Sequence, residues 1–169
     1  HRHKRDVLTS ISSGKFQHEV HDAIGVNGEH YESVHFTTGC NNYCADLRKA
    51  FYPNGIKIFP SDFLRGMNER SLAYWYMDDG STSWQHSKNT SSHQARLLTY
   101  GYTYDEQFLI QDLLLKRFQL HSKVSYNKEK DGYIQEFSSC VSRDLINLIK
   151  THVIPSMQYK IDSIAHKEW

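Results

Sequence analysis

The chain repeats one short phrase at the end of two predicted helices, and this repeat limits the folds that the chain can adopt. The helix predicted over about residues 42–52 ends in LRKAFYP (47–53), with Lys57 shortly after it. The last predicted helix, over about residues 142–153, runs into LIKTHVIP (148–155), with Lys160 shortly after it. Each helix follows strand-like runs, so the sequence predicts two copies of one supersecondary unit.

The first copy is the shorter one. Alternating runs at 15–22 and 30–37 precede its helix, and Asn27-Gly28 between them is a preferred hairpin turn. Residues 4–12 have the spacing of a short helix end, with Gly14 as its stop. On this register the first copy starts at its second helix, and an opening helix with two strands does not occur in the printed sequence.

The second copy contains the additional pieces. A helix begins after Asn68 as a possible cap and stops at Gly80, and a polar stretch at 81–92 leads to an alternating run at 94–102. Thr103 and Glu106 form a capping box before the next helix. Strands at about 121–128 and 132–139 then precede the last helix. We therefore expect an α+β chain in which residues 1–66 are the end of a first repeat plus a linker, and residues 67–169 are a complete second repeat.

The total charge conceals an uneven distribution. The chain of 169 residues has a formal net charge of +1, which alone argues against a strongly basic nucleic-acid binder. Between Gly80 and Asp105, however, there is no acid, and residues 116–130 carry five bases against one acid. No apolar run approaches the roughly 20 residues that span a bilayer, so we expect no membrane partner.

The cysteines and histidines do not form a metal-binding motif. Cys40, Cys44 and Cys140 are an odd set without a C-x-x-C pair, and the histidines form no HExxH. We expect reduced thiols in a reducing intracellular compartment.

Two acids at the end of an apolar helix are the most informative local feature. Asp78 and Asp79 occupy the last turn before Gly80, where the helix dipole disfavours anions. A bound cation would offset this, and Mg²⁺ is held by one or two carboxylates together with water and substrate phosphates. From spacing alone, a solvated turn that merely ends a buried helix remains an alternative.

Three motifs resemble those of one known family. Residues 72–80 (LAYWYMDDG) resemble the helix motif of the LAGLIDADG homing endonucleases, in the form found in one branch of that family. Residues 51–58 (FYPNGIKI) resemble the linker of that branch, and residues 154–160 (IPSMQYK) resemble its closing signature. The motifs occur in the family's order, and the likeness extends from about residue 4 to about residue 162.

The resemblance implies a fold, a reaction and a set of catalytic residues. In the family, two αββαββα repeats pack through their motif helices, and their strands form a curved antiparallel saddle over DNA; here the first repeat is incomplete. The implied function is a site-specific double-strand DNA endonuclease that uses Mg²⁺ or another divalent cation. By position, Asp79 is the metal-binding acid, with Asp78 as a second candidate, and Lys160 and Lys57 match lysines near the scissile phosphates.

Two departures from the family pattern leave other functions open. Tyr100 stands where many relatives have Gln, and the first motif helix with its own acid does not occur in the sequence. We expect a missing N-terminal segment or a second chain to supply that helix. The alternatives are a catalytically degenerate nucleic-acid-binding relative, such as an RNA maturase or scaffold, and the nuclease insert of an intein.

The basic, polar and aromatic residues of the predicted strands are candidates for contacts with DNA. Strand side chains in a major groove read base edges, and other cations contact phosphate. For any single residue, an ordinary solvated strand face is the better interpretation, whereas the set as a whole favours contacts with DNA and predicts that affinity falls steeply with salt. The candidate set is Gln94, Arg96, Tyr100, Lys123, Tyr126, Lys128 and Gln135.

Overall fold

The computed structural model describes residues 16–24, 28, 30–38, 42–86 and 91–165. The chain divides into two compact units, residues 1–50 and residues 51–169. In the first unit, strands β1 (Phe16–Ile24) and β2 (His30–Thr38) form an antiparallel hairpin, and helix α1 (Asn42–Phe51) follows, with its last residue, Phe51, already belonging to the second unit. Both expected strands and the helix are therefore confirmed, whereas the helical stretch predicted at 4–12 lies outside the described residues.

The second unit alternates helices with pairs of strands around one antiparallel sheet. Its strands are ordered β3-β4-β6-β5, and a short helix α2 (Ser61–Leu64) precedes the main series. That series is α3 (Glu69–Asp79), β3 (Gly80–His86), β4 (Ser91–Leu97), α4 (Tyr104–Phe118), β5 (Lys123–Asn127), β6 (Gly132–Glu136) and α5 (Ser139–Ile149). Helix α6 (Asp162–Ala165) follows, and short 3₁₀ segments lie at Pro53–Gly55, Lys150–His152 and Pro155–Lys160.

The core of this unit lies between the sheet and its helices. Leu72 and Tyr76 of α3, Leu97 of β4 and Leu145 of α5 are each fully buried. Phe59 belongs to the same core, although it lies in the linker, which explains why the compact unit begins at residue 51 rather than at the expected repeat boundary after residue 66. That boundary describes sequence repeats rather than packing, and it stays a prediction.

One strand of the sheet was not expected from the sequence. Residues 80–86 (GSTSWQH) form β3, which pairs along its length with β4, although they were assigned to a polar stretch. The run lacks apolar alternation because β3 is an edge strand of the sheet. The expected run at 94–102 is also shifted, since β4 ends at Leu97 and a turn follows.

The caps that define the helices match the sequence in two places. The Asn68 Oδ1 accepts from the Ser71 N–H at 3.0 Å and starts α3, and Thr103 with Glu106 forms the capping box of α4. Helix α5 begins earlier than expected, because Ser138 caps it. Across the described residues, we find no helix with the length and apolar character needed to cross a bilayer.

Candidate metal and nucleic-acid site

Helix α3 carries two exposed acids out of the core. Its buried side chains are Leu72, Ala73, Tyr76 and Met77, while Asp78 and Asp79 at its C-terminal end are exposed. The helix ends at Gly80 as expected, and Gly80 leads directly into β3 with an extended backbone, φ −79° and ψ 145°. The acids therefore lie at the junction between a buried helix and a strand, where the helix dipole alone would disfavour them.

Lys160 lies at that same junction. Its Nζ donates to the carbonyl oxygen of Asp78 at 3.2 Å and to that of Gly80 at 3.0 Å, so the ammonium group binds the backbone on both sides of Asp79. Its backbone is also fixed, because the Thr82 hydroxyl donates to the Lys160 carbonyl at 2.9 Å. A cation bound to carbonyls at the end of a helix offsets the dipole, and here the Lys160 ammonium group lies against the backbone on both sides of Asp79.

Lys57 reaches a different part of the same unit. Its Nζ lies 4.5 Å from the centroid of the Tyr102 ring, in the turn that follows β4. Tyr102 in turn lines a cavity of about 470 Å³ that Asp79 also borders. The remaining lining residues are mostly apolar: Phe51, Phe59, Phe63, Leu64, Gly66, Met67, Ser71 and Trp75.

Burial and the neighbouring negative charges raise the pKa of the Tyr102 hydroxyl. Burial raises the pKa of Tyr102 to about 12, and the negative charges of Asp79 and Glu106 act in the same direction. At neutral pH the Lys57 ammonium therefore lies over a neutral aromatic ring, which is the arrangement of a cation–π contact.

The acids suit a hard divalent cation, but they are only part of a site. Asp78 and Asp79 offer carboxylate oxygens, the ligands that Mg²⁺ takes together with water and phosphate. Within the described ranges, no group of three or more His, Cys, Asp or Glu residues is arranged to hold a metal ion. The chemistry of the pair fits Mg²⁺ shared with a phosphate and further ligands, rather than an enclosed protein cage.

The sheet brings three of the expected DNA contacts onto one face. Arg96 of β4 is paired with Glu136 of β6, and Glu136 with Lys123 of β5, so these three side chains share a face. Gln94 lies two residues from Arg96 and projects to the same side. Leu97, which is fully buried, projects to the opposite face toward the helices.

An acid that sequence reasoning missed lies within that face. The Arg96 Nη2 contacts the Glu136 Oε1 at 2.9 Å, and the Ser125 hydroxyl donates to the Glu136 Oε2 at 2.5 Å. Side chains alternate along β6, so Glu136 and Gln135 lie on opposite faces, and the pairing of Glu136 with Arg96 and Lys123 places the acid on the basic face. Arg96 is therefore paired within the protein before any DNA binds.

The expectation that Gln135 reads DNA is wrong for this fold. Gln135 is fully buried, and its Nε2 donates to the Oε1 of Gln107 at 2.9 Å and to the Gln107 carbonyl at 3.1 Å. Its own Oε1 accepts from the Ser122 hydroxyl at 2.7 Å. Gln135 faces inward because it shares the face of Leu97, its register partner on β4.

The other three candidates lie at the turn end of the sheet. Tyr126 shares the inward-facing side of β5 but lies at the strand end, half exposed, and its hydroxyl donates to Asp131. That hydrogen bond is the main reason why the pKa of Tyr126 is raised. The Tyr100 hydroxyl accepts from the Asn127 Nδ2 at 3.2 Å, and Lys128 is exposed in the turn between β5 and β6.

The order of elements and the position of the acids define a class of protein. The main series of the second unit runs α3-β3-β4-α4-β5-β6-α5, with two acids and a bound lysine at the base of α3. This is the αββαββα repeat of the LAGLIDADG nucleases. The chain belongs to that family: the model of the LAGLIDADG DNA endonuclease family matches residues 2–144.

Individual relatives agree with this assignment. A probable intron-encoded endonuclease 1 of Wickerhamomyces canadensis is 37% identical over 113 residues, which is 66% of this chain and 47% of that protein. The cytochrome b mRNA maturase bI2 of Debaryomyces hansenii is 27% identical over 138 residues, covering 82% of this chain and 50% of that protein. The chain thus spans about half the length of these curated relatives.

A solved structure confirms the α+β fold. The homing endonuclease I-WcaI bound to its DNA recognition sequence matches with a TM-score of 0.77, covering 95% of this chain and 71% of that chain. The sequence identity is 24%, so the comparison establishes the shared architecture and not the details of the site.

Proposed function

We propose that the protein is the core of a homing-type endonuclease that cuts both strands of a specific DNA site with the help of a divalent cation. The observation that carries the proposal is the junction of α3 and β3, where the Lys160 ammonium group binds the carbonyls of Asp78 and Gly80, on both sides of Asp79. Phosphodiester hydrolysis needs an activated water and stabilisation of charge on the phosphate, and an acid with a neighbouring lysine serves both needs.

The roles of the residues follow from their chemistry. Asp79, with Asp78 as a second ligand, would hold Mg²⁺ or another divalent cation, which would supply an activated water and neutralise charge on the phosphate. Lys160 and Lys57 are the cations that stabilise the negative charge developing on the phosphate oxygens. Gln94, Arg96 and Lys123 on one sheet face, with Tyr100, Tyr126 and Lys128 at its turn end, contact the duplex.

A second motif helix completes the site in this proposal. Ser71, Trp75 and Asp79 are spaced four residues apart along α3, and all three border the open cavity. A neighbouring acid-ended helix, from another part of the same polypeptide or from a second chain, would supply a second carboxylate there. The match to about half of each curated relative's length supports this requirement.

The direct test is cleavage of a DNA target library by a preparation that contains both repeats. We expect cutting with Mg²⁺ and none with EDTA, and Asp79→Asn should reduce the rate at least about a hundredfold because it removes a metal-binding charge. Asp62→Asn is the matched control, since Asp62 is exposed and pairs only locally with Arg65. Tight binding of a site that is never cut would refute the nuclease proposal.

A nucleic-acid-binding function without cleavage is the second candidate. Tyr100 replaces the Gln of many relatives, and its hydroxyl is engaged by the Asn127 Nδ2 at 3.2 Å. One of the relatives is a maturase that acts on cytochrome b mRNA by its name. Tight binding to structured intron RNA that persists in EDTA, without nicking of DNA, would favour this candidate over the nuclease.

A further inference from the structure

Lys57 is exposed, yet its side chain has defined contacts with the turn that follows β4. Its Nζ lies 4.5 Å from the centroid of the Tyr102 ring. Gly101, the residue before Tyr102, also lies against the Lys57 side chain. A Cβ placed on Gly101 would lie 3.0 Å from the Lys57 Nζ and 3.5 Å from the Lys57 Cδ. The lysine therefore packs along a glycine backbone and ends over an aromatic face.

The segment that carries Lys57 is fixed on its C-terminal side. The Ile58 N–H donates to the Phe51 carbonyl at 2.9 Å, and the Phe59 N–H donates to the Glu106 Oε1 at 2.6 Å. The Phe59 ring then meets the Tyr102 ring edge to face, with centroids 5.5 Å apart. These contacts join the linker to the start of α4 and leave Lys57 directly above the turn.

The turn that carries Tyr102 is fixed by a buried amide. The Gln107 Nε2 donates to the carbonyls of Thr99 and Tyr102, each at 3.2 Å, and its Oε1 accepts from the Thr99 hydroxyl at 2.7 Å. Gln107 is fully buried, so its hydrogen bonds are costly to break. Both partners of the Lys57–Tyr102 contact are thus held by the backbone around them.

We propose that Tyr102, together with Gly101, is a positioning residue that holds the Lys57 ammonium group for phosphate cleavage. Tyr102 borders the cavity that Asp79 also borders, so the ring that lies beneath the lysine faces the same open space as the proposed metal-binding acid. The aromatic face attracts the cation without neutralising it, as a carboxylate would. The inference rests on the proposed nuclease function and assigns a role within it.

The first test measures the position of the lysine without any substrate. In the full chain labelled with ¹³C-lysine, the Lys57 ε-CH₂ signal, assigned by its absence in Lys57→Arg, should be shifted upfield by the ring current of Tyr102. Tyr102→Phe should keep the shift, whereas Tyr102→Leu should abolish it. Gly101→Ala should move the signal because its methyl group would occupy the lysine's space. Tyr104→Leu is the control, since that exposed tyrosine contacts Phe108 and Tyr133.

The second test measures cleavage in a preparation that cuts DNA. Tyr102→Leu should lower kcat about ten- to a hundredfold with little change in KM, because a misplaced catalytic group costs rate rather than binding. Tyr102→Phe should keep kcat close to the wild-type value, because it keeps the ring beneath Lys57. A role that depended on the hydroxyl group would instead lower kcat in Tyr102→Phe as well. Thermal unfolding of each variant verifies that the fold is retained.

The outcomes separate this inference from the proposed function. A Lys57 signal without a ring-current shift, or the same kcat for Tyr102→Leu and Tyr102→Phe, would overturn the positioning role. If the wild-type protein binds its site and never cuts it, the proposed function fails, and so does a role for Tyr102 in cleavage. The lysine signal then decides only whether Tyr102 orders Lys57.

Discussion

At the scale of single residues, Glu106 joins two segments that are distant in the sequence. Its Oε2 accepts from the N–H and the hydroxyl of Thr103, both at 2.8 Å, while its Oε1 accepts from the Phe59 N–H at 2.6 Å. Burial raises the pKa of Glu106, but the N–H groups of Thr103 and Phe59, the Thr103 hydroxyl and the charge of Lys57 outweigh it, so the pKa is lowered from 4.5.

This lowered pKa makes a prediction about stability and pH. A carboxyl whose pKa is lower in the folded state stabilises the fold above the pKa of the unfolded chain, and that stability is lost as the pH falls through the folded value. Glu106→Gln should therefore cost about 1 kcal/mol of unfolding free energy at pH 7, because an amide NH₂ replaces one of the two accepting oxygens and a lost hydrogen bond typically costs about that much. The difference from wild type should shrink as urea unfolding is repeated below about pH 4.5.

Asp105→Asn is the matched control for that experiment. It removes an equal charge from the same first turn of α4, but Asp105 makes none of the three hydrogen bonds of Glu106. Its effect should be a few tenths of a kcal/mol, from the helix dipole alone. Equal losses in the two variants would show that charge, and not the hydrogen bonds to Thr103 and Phe59, is responsible.

The same residue shows what the sequence reveals at this scale. Thr103 and Glu106 are three residues apart, and their spacing alone predicted the capping box. The bond from Phe59 spans 47 residues, and no local pattern encodes it. Only the resemblance to a family pointed to both Asp79 and Lys160 as site residues. No local pattern could do so, since 80 residues separate Lys160 from Gly80.

At the scale of elements, the junction of α3 with β3 depends on the missing side chain of Gly80. A Cβ at this position would lie 2.2 Å from the Tyr76 carbonyl oxygen and 2.5 Å from the Tyr76 ring. The ring lies there because the Tyr76 hydroxyl donates to the Ser81 carbonyl at 3.2 Å. The glycine thus allows a core tyrosine to cover the helix end where the acids lie.

Gly80→Ala should therefore destabilise the protein by about 1–3 kcal/mol, the usual cost of overpacking a buried site. Chemical denaturation measures this value directly. Gly66→Ala is the matched control, because nothing lies within 4 Å of the added Cβ and we expect no loss there. Similar stability of the two variants would contradict the close packing at the junction.

Elements were predicted well where apolar spacing or capping residues mark them. Asn68 marked the start of α3, and the alternation in 15–22 and 30–37 marked the hairpin of the first unit. Strand β3 was not predicted because GSTSWQH has the composition of a loop. The segment is a strand through its pairing with β4. Tertiary pairing of this kind overrides local propensity, particularly at a sheet edge.

At the scale of the whole molecule, the net charge of +1 does not describe the surface that would meet DNA. Arg96 and Lys123 share a sheet face with Glu136, and the Arg96 and Glu136 side chains are only 28% and 23% exposed. An acid in this position reduces the attraction of the face for phosphate and occupies the arginine. Side-chain alternation along β6 places Glu136 on this face, so the count of charges by segment overestimated how basic the face is.

Glu136→Gln should therefore tighten binding to duplex DNA and steepen its dependence on salt. Release of Arg96 to contact one more phosphate would change the slope of log K against log[salt] by about −0.9. Glu69→Gln produces the same net charge from the exposed first turn of α3, away from this face, and it should leave the slope nearly unchanged. Binding titrations at several salt concentrations separate the two cases. Equal slopes for both variants would mean that the overall charge governs DNA binding, and the paired Arg96 would then have no special part in it.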